Sequence, residues 1–346
     1  MKIRRLKKLV FVLILAVFIC FICFEIVWRY AIRHEWVNSH LPEHISPTTT
    51  IAFVQSQILK FQSGINHFNQ PEVWIVGASS IIDGVDVELL QAELPNFYFR
   101  KIAIFDSTVQ DLPMVFSLRD DSKVAYVLFF YQLGTFKEKT LKTDWFHHWS
   151  ITPYLNVFGA EALRPRNWPF TLKITTQSLS SIYRYANLLN IFWRRWKANQ
   201  LQPTAYQTIF NYKDTKEIER RKKQKVYVPE ILSRSYSDAY SQSLDVSSSG
   251  YTILSTVQEK LKSKNKKLVL IEAPQLNDKK SEKQTELQNK IISNWASQRG
   301  ISNIALKELN GFKLNNDHFI DDKHMLPQGT LTYTKELARK LSQVLF

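Results

Sequence analysis

The sequence predicts an α/β fold, a three-layer sandwich around a central parallel sheet, and three features lead there. Val73–Val76, Val124–Tyr131 and Lys267–Ile271 are short continuous apolar runs, the pattern of strands covered on both faces. Segments with apolar residues at helical spacing lie between such runs, as in Val85–Leu94, where Leu89, Leu90 and Leu94 share one side. The strand–helix rhythm is interrupted once, between about 134 and 247, and then resumes, so one sheet carries a large insertion.

Taken in order, the chain opens with Lys2, Arg4, Arg5, Lys7 and Lys8 in residues 1–8, a basic flank. An apolar run from Leu9 to Phe24 follows, is interrupted by Glu25, and resumes through Ile26-Val27-Trp28. Residues 9–28 then reach about 20 residues, the length that crosses a hydrocarbon core. Glu25 lies near the far end, where a carboxylate reaches the interface at modest cost, and Trp28 and Tyr30 suit the interfacial belt. The basic flank places the N-terminus in the cytoplasm and the main domain outside it, as a single-pass membrane protein; Arg29 and Arg33 on the far side argue the other way. A cleaved signal peptide would show a small-x-small site after Phe24, which is not found, so an uncleaved signal anchor is expected.

Residues 29–70 read as a stalk, punctuated by Pro42 and Pro47, and a first helix over Ile51–Ile65. The sheet domain begins over 71–133 with strands at Val73–Val76, Tyr98–Ile104 and Val124–Tyr131 and helices at Val85–Leu94 and Val109–Leu118. Its second part, 248–346, supplies helices over Leu254–Ser263, Glu282–Gln298 and Gly329–Phe346 and strands over Lys267–Ile271 and Ile301–Ala305. The insertion, 134–247, is dense in aromatic and basic residues: Trp145–Trp149, Pro165–Pro169, Phe192–Trp196 and the mixed-charge run Lys213–Lys225. Such a segment is either a lid or a membrane- or partner-facing surface, or a helical subdomain burying its own aromatics. His147 and His148 fall in an aromatic cluster and read as structural or interfacial.

Both cysteines, Cys20 and Cys23, lie in the apolar run, so no disulfide framework, zinc–cysteine site or cysteine nucleophile is available to the main domain. The formal net charge of +15 favours anionic partners such as lipid headgroups, acidic glycans or anionic polymers. Nucleic acid is not expected for an outward-facing domain. With no dense cluster of His and acidic residues, no metal is expected, and no cofactor.

Two stretches carry the chemistry. In Val73–Ser80 a buried strand runs into Gly77-Ala78-Ser79-Ser80, beyond the carboxyl end of a strand, where ligands of parallel sheets bind. Ser79 is there either a nucleophile whose own amide serves an oxyanion, or a helix N-cap. In Asp321–Gly329 a carboxylate precedes His324 by three residues, the spacing that lets Asp321 fix the tautomer of a general base. The alternatives are Ser80 as nucleophile, His318 as base and Asp322 as its carboxylate.

These stretches resemble the SGNH (GDSL-like) hydrolase superfamily: Gly77-Ala78-Ser79 matches its Gly-x-Ser nucleophile turn, and Asp321–His324 its C-terminal Asp-x-x-His. Lys101–Thr108 resembles the second family block, and Glu272-Ala273-Pro274 is also similar; the likeness spans about 72–131 and 250–346 and skips the insertion. It implies a flavodoxin-like sandwich and a Ser79–His324–Asp321 triad. It also implies oxyanion donors from Ser79, Asp106 and Gln132, with Asp106 where the family has glycine and Gln132 where it has asparagine. Losing one such donor costs roughly 10²–10³ in rate. The layout resembles membrane-anchored branches that acylate cell-surface polymers, such as the D-alanyl transfer protein and the alginate and peptidoglycan O-acetylation proteins. The resemblance implies an esterase or O-acyltransferase acting on a cell-envelope glycan or anionic polymer, beside membrane lipid and a multi-span membrane-bound O-acyltransferase. The alternative is a catalytically silent binding or scaffold protein partnering such an acyltransferase.

Overall fold

The computed structural model describes residues 2–33, 50–62, 70–104, 107–119, 122–132, 134–136, 151–197, 219, 244–276, 279–321 and 323–346. Helix α1 (Lys2–Arg33) and helix α2 (Thr50–Gln62) precede the sheet. Among the described residues α1 holds the one segment, Lys8–Ala31, long and apolar enough to cross a membrane. Its apolar side chains from Leu9 to Phe24 are largely exposed, whereas Trp28, expected in an interfacial belt, is 4% exposed and packs into the protein. Tyr30 stays exposed.

Strand β1 (Glu72–Gly77) leads to the short helix α3 (Ser80–Gly84), helix α4 (Val87–Glu93) and strand β2 (Tyr98–Ala103). The helix expected at Val85–Leu94 begins two residues later, because the Asp86 side chain accepts from the Leu89 amide and caps it. The segment expected as one helix over Val109–Leu118 is a 3-10 turn, Val109–Asp111, followed by helix α5 (Leu112–Leu118). Pro113 has no N–H and fits only the first helical turn, so the α-helix starts at its door. Strand β3 (Val124–Tyr131) is buried along nearly its whole length.

The insertion holds helices α6 (Ile151–Ala162, kinked at Gly159), α7 (Trp168–Leu179), α8 (Ser181–Arg184) and α9 (Ala186–Lys197). Trp145–Trp149, with His147 and His148, and Lys213–Lys225 apart from Glu219 fall outside the described residues. The chain returns to the sheet through α10 (Ser249–Lys262), β4 (Lys267–Glu272), α11 (Lys279–Gln298), β5 (Ser302–Ile304) and α12 (Pro327–Leu345). Pro327 opens α12, the position where a missing N–H costs nothing, so this helix starts two residues before the expected Gly329.

All strand pairings are parallel, and the order is β2-β1-β3-β4-β5. This is the flavodoxin-like doubly wound arrangement, with its switch point between β1 and β3, where the chain leaves β1 to one side for β2 and returns to the other for β3. Ligands bind beyond the carboxyl ends of the strands at such a point, so the residues just after β1 hold the most exploitable position in the sheet.

A buried charge cluster fixes the opposite end of β1. Glu72 accepts from Arg100 Nε at 3.0 Å, Arg119 Nη2 at 3.0 Å and Trp74 Nε1 at 3.0 Å. Burial raises the Glu72 carboxyl, but bonds from Arg119 and Trp74 and the charge of Arg100 outweigh it and hold the group below its ordinary range. Glu72→Gln removes the charge that accepts from both guanidinium groups, and the unfolding free energy is expected to fall by about 3–5 kcal/mol. Chemical denaturation of both proteins at neutral pH measures it; a loss under 1 kcal/mol contradicts the argument.

Candidate active site

Gly77 ends β1 where backbones crowd: a Cβ there would lie 2.9 Å from Phe130 Cβ on β3 and 3.1 Å from Ile81 Cδ1 on α3. Only glycine lets the chain turn this close to the central strand. The turn puts Ser79 immediately before α3, with helical backbone (φ −56°, ψ −27°) and no side-chain capping bond. Ser79 Oγ is instead 3.0 Å from His324 Nε2. The hydroxyl faces the imidazole and not its own helix, where a capping hydroxyl would point.

His324 sits on a loop closed at its base. The Leu326 amide donates to His318 O at 2.8 Å, the Ile320 amide donates to His324 O at 2.9 Å, and Phe319 and Met325 form an antiparallel bridge. Phe319, Ile320 and Met325 are fully buried and pin the loop to the core. Asp321 shapes its tip: Oδ1 accepts from the amides of Lys323 (3.0 Å) and His324 (2.7 Å), and Oδ2 lies 2.7 Å from His324 Nδ1. Burial raises the Asp321 carboxyl, yet the bond to His324, the charge of that ring and the two backbone amides prevail and hold it down at about 2. An ionised Asp321 takes the Nδ1 proton as acceptor, which leaves Nε2 as the lone pair facing the Ser79 hydroxyl. Ser79 and His324 are 6% and 8% exposed, so the pair is mostly shielded from water.

Further contacts hold Ser79 and His324 in register. Thr330 Oγ1, on α12, donates to Asp83 O at the end of α3, and the Asp86 amide donates to Thr334 Oγ1 at 3.1 Å. Lys101, on β2, donates to Ile82 O and Val85 O at 2.7 Å each, closing the carboxyl end of α3. Desolvation pulls the Lys101 amine down to about 8, against the opposing charges of Asp83 and Asp86. Gly329 adds a close approach: a Cβ there would lie 2.6 Å from His318 O and 2.7 Å from His318 Cβ, in the closed base of the loop that carries His324. The Pro-x-Gly spelling marks a helix start, but its cradle for His318 depends on a loop 11 residues upstream having already closed. Gly329→Ala must push that base outward and His324 with it. A misplacement near 1 Å costs about 10²-fold in rate, so kcat for ester cleavage is expected to fall roughly 30–100-fold. Steady-state kinetics with a short-chain nitrophenyl ester checks this, and a change under threefold refutes it.

Ser80 is 2% exposed, and its Oγ has no hydrogen-bond partner among the described residues. His318 stacks on Phe312, ring centroids 5.9 Å apart, and its buried Nδ1 has no hydrogen-bond partner among the described residues. Asp322 and Asp106 lie outside the described residues. Gln132 follows β3 at the right end of the sheet, but its amide donates to Thr135 Oγ1 at 2.9 Å. Gln132 also lines a polar cavity of about 10 Å³ with Glu272, Gln275, Thr285 and Gln288. That is room for a single water. Ser107, just past β2, carries a buried hydroxyl with no hydrogen-bond partner among the described residues.

No family model matches the chain, and no curated protein does. Among solved structures it is similar to an extracellular lipase from Streptomyces rimosus, at 10% identity and TM-score 0.40, covering 78% of this chain and 99% of that one. An acetyl xylan esterase from Geobacillus stearothermophilus is similar at 12% identity and TM-score 0.37, covering 78% and 94%. A phospholipase A1 from Streptomyces albidoflavus is similar at 11% identity and TM-score 0.36, covering 79% and 100%. Likenesses this distant assign no activity, and the functional case rests on the residues of this chain.

Proposed function

We propose that the protein is a membrane-anchored serine esterase or O-acyltransferase, with its domain outside the cytoplasm, acting on a glycan or anionic polymer of the cell envelope. The observation that carries this is the unbroken chain Ser79 Oγ, His324 Nε2, His324 Nδ1, Asp321 Oδ2, with links of 3.0 and 2.7 Å.

In the first half-reaction Ser79 Oγ attacks the acyl carbonyl while His324 Nε2 takes the hydroxyl proton. The tetrahedral oxyanion is met by the Ser79 amide, with the Asp106 amide and the Gln132 side chain as the further donors that the family resemblance implies. Collapse breaks the bond to the leaving oxygen, which receives the proton from His324, and Ser79 is left acylated. Water or a polymer hydroxyl then attacks, His324 again acts as base, and Ser79 Oγ leaves with the proton. Water gives hydrolysis and a polymer hydroxyl gives transfer; a membrane-bound acyltransferase would supply the acyl group in the second case. The excess of basic residues suits an anionic acceptor. The steps call for no metal or cofactor.

Fluorophosphonate labelling of the full chain in detergent tests the reading. A single adduct is expected on the peptide carrying Ser79, absent from Ser79→Ala. A folded wild type that takes no label points instead to the silent binding role.

A further inference from the structure

The insertion presents an apolar stripe that the active site does not use. On α7, Trp168, Leu172 and Leu179 are 61%, 69% and 73% exposed. Spacings of four and seven residues at about 100° each bring the three within roughly 40° around the helix. The opposite face of α7 is the buried one, through Ile174 and Gln177. An amphipathic helix in water would turn polar residues outward from such a face. Leu163 and Tyr183, on either side of α7, are exposed as well.

The carboxyl end of this helix is fastened to α1. Glu25 accepts from the amides of Ser181 (2.6 Å) and Ile182 (3.1 Å) and from Ser180 Oγ (3.1 Å). Arg29 pairs with Glu25 at 2.8 Å and donates to Leu179 O at 2.9 Å. From Leu9 to Glu25 the helix climbs about 24 Å at 1.5 Å per residue, against roughly 30 Å for a hydrocarbon core. The junction therefore falls at the outer boundary of the bilayer, and Leu179 with it. Exposed Arg164 and Arg166 immediately precede α7 at the Trp168 end of the stripe, and exposed Arg194 and Lys197 lie on α9. Cations beside an apolar stripe suit a surface of anionic headgroups.

We propose that the Trp168–Leu172–Leu179 stripe lies in the lipid–water interface beside the protein's own membrane span, so that the insertion seats the domain on the bilayer. This rests on the reading of α1 as a membrane span. The seat belongs to one edge of the sheet: α8 packs on α9, α9 on α2 and α2 on β2, while α11 covers β5 at the far edge. The acylation site is then held at a fixed height and tilt above the membrane instead of swinging on a tether.

The test uses the full chain in vesicles of phosphatidylethanolamine and phosphatidylglycerol, with p-benzoylphenylalanine in place of Leu172, of Leu179, or of Leu287, an exposed leucine on α11. Flotation with the vesicles reports the span by itself. On illumination, lipid adducts are expected at 172 and 179 in at least tenfold higher yield than at 287. Quenching of wild-type tryptophan fluorescence by brominated lipid is expected to drop in Trp168→Phe, without any bulky label. Flotation with equal yields at all three positions, or adducts to protein alone, overturns the seat and leaves the span standing. Failure to float overturns both.

Discussion

Alanine at Ser79 or at His324 is expected to lower kcat for ester cleavage by roughly 10⁴–10⁶, and the double variant to be no worse than either single one. The reason is that the two groups act as one device. Without His324 Nε2 at 3.0 Å, the Ser79 hydroxyl keeps its proton and is a poor nucleophile; without Ser79, the imidazole has nothing to deprotonate. What survives in each case is the same remainder, substrate binding and whatever the oxyanion donors supply. The lower end of the range applies if the Ser79 amide is the main donor, since a weaker oxyanion site gives the intact enzyme less to lose. Steady-state rates with a nitrophenyl ester decide the matter. Either single variant retaining a tenth of the wild-type rate would sink the triad. Ser80→Ala is the matched control, expected within threefold of wild type, because its buried hydroxyl bonds to nothing among the described residues and its removal leaves no partner stranded.

The parallel sheet was legible because buried strands write themselves as uninterrupted apolar runs, and β3 spans the residues its sequence predicts. Helix ends were less so. The start of α4 depends on the Asp86 side chain and that of α5 on Pro113, local chemistry that outranks apolar spacing. The short α3 was invisible, since five residues carry no period. Ser79, Asp321 and His324 stood out by residue type and spacing, but nothing local brings position 79 to position 324. The contacts that do so, Thr330 to Asp83 and Gly329 under His318, join segments far apart in the chain, and their residue types have ordinary uses elsewhere. Trp28 was misplaced for a similar reason, because an aromatic at the end of a span suits a membrane belt or a protein core equally well, and here it found the core.

Asp321→Asn is expected to fold, to keep the loop, and to lose about 10⁴ in kcat. The asparagine carbonyl still accepts from the Lys323 and His324 amides, so the loop tip survives. Its NH₂ group, however, faces His324 Nδ1 as a donor and forces the proton onto Nε2. An Nε2–H cannot receive the Ser79 proton, and higher pH does not restore the lost rate. Stability separates this from a structural defect. A carboxyl held at about 2 in the fold, against about 3.9 in the unfolded chain, contributes about 2 kcal/mol. Its pKa is depressed by folding, so the contribution is complete above about pH 4 and fades as pH falls through 2. The asparagine variant has no such dependence. Unfolding free energies of the two proteins are therefore expected to differ by about 2 kcal/mol at pH 7 and to converge toward pH 2, while the kinetic gap persists wherever both are folded. A gap in stability that stays constant from pH 7 to pH 2 would place the role of Asp321 in packing, and a variant within tenfold of wild-type kcat would remove it from the relay.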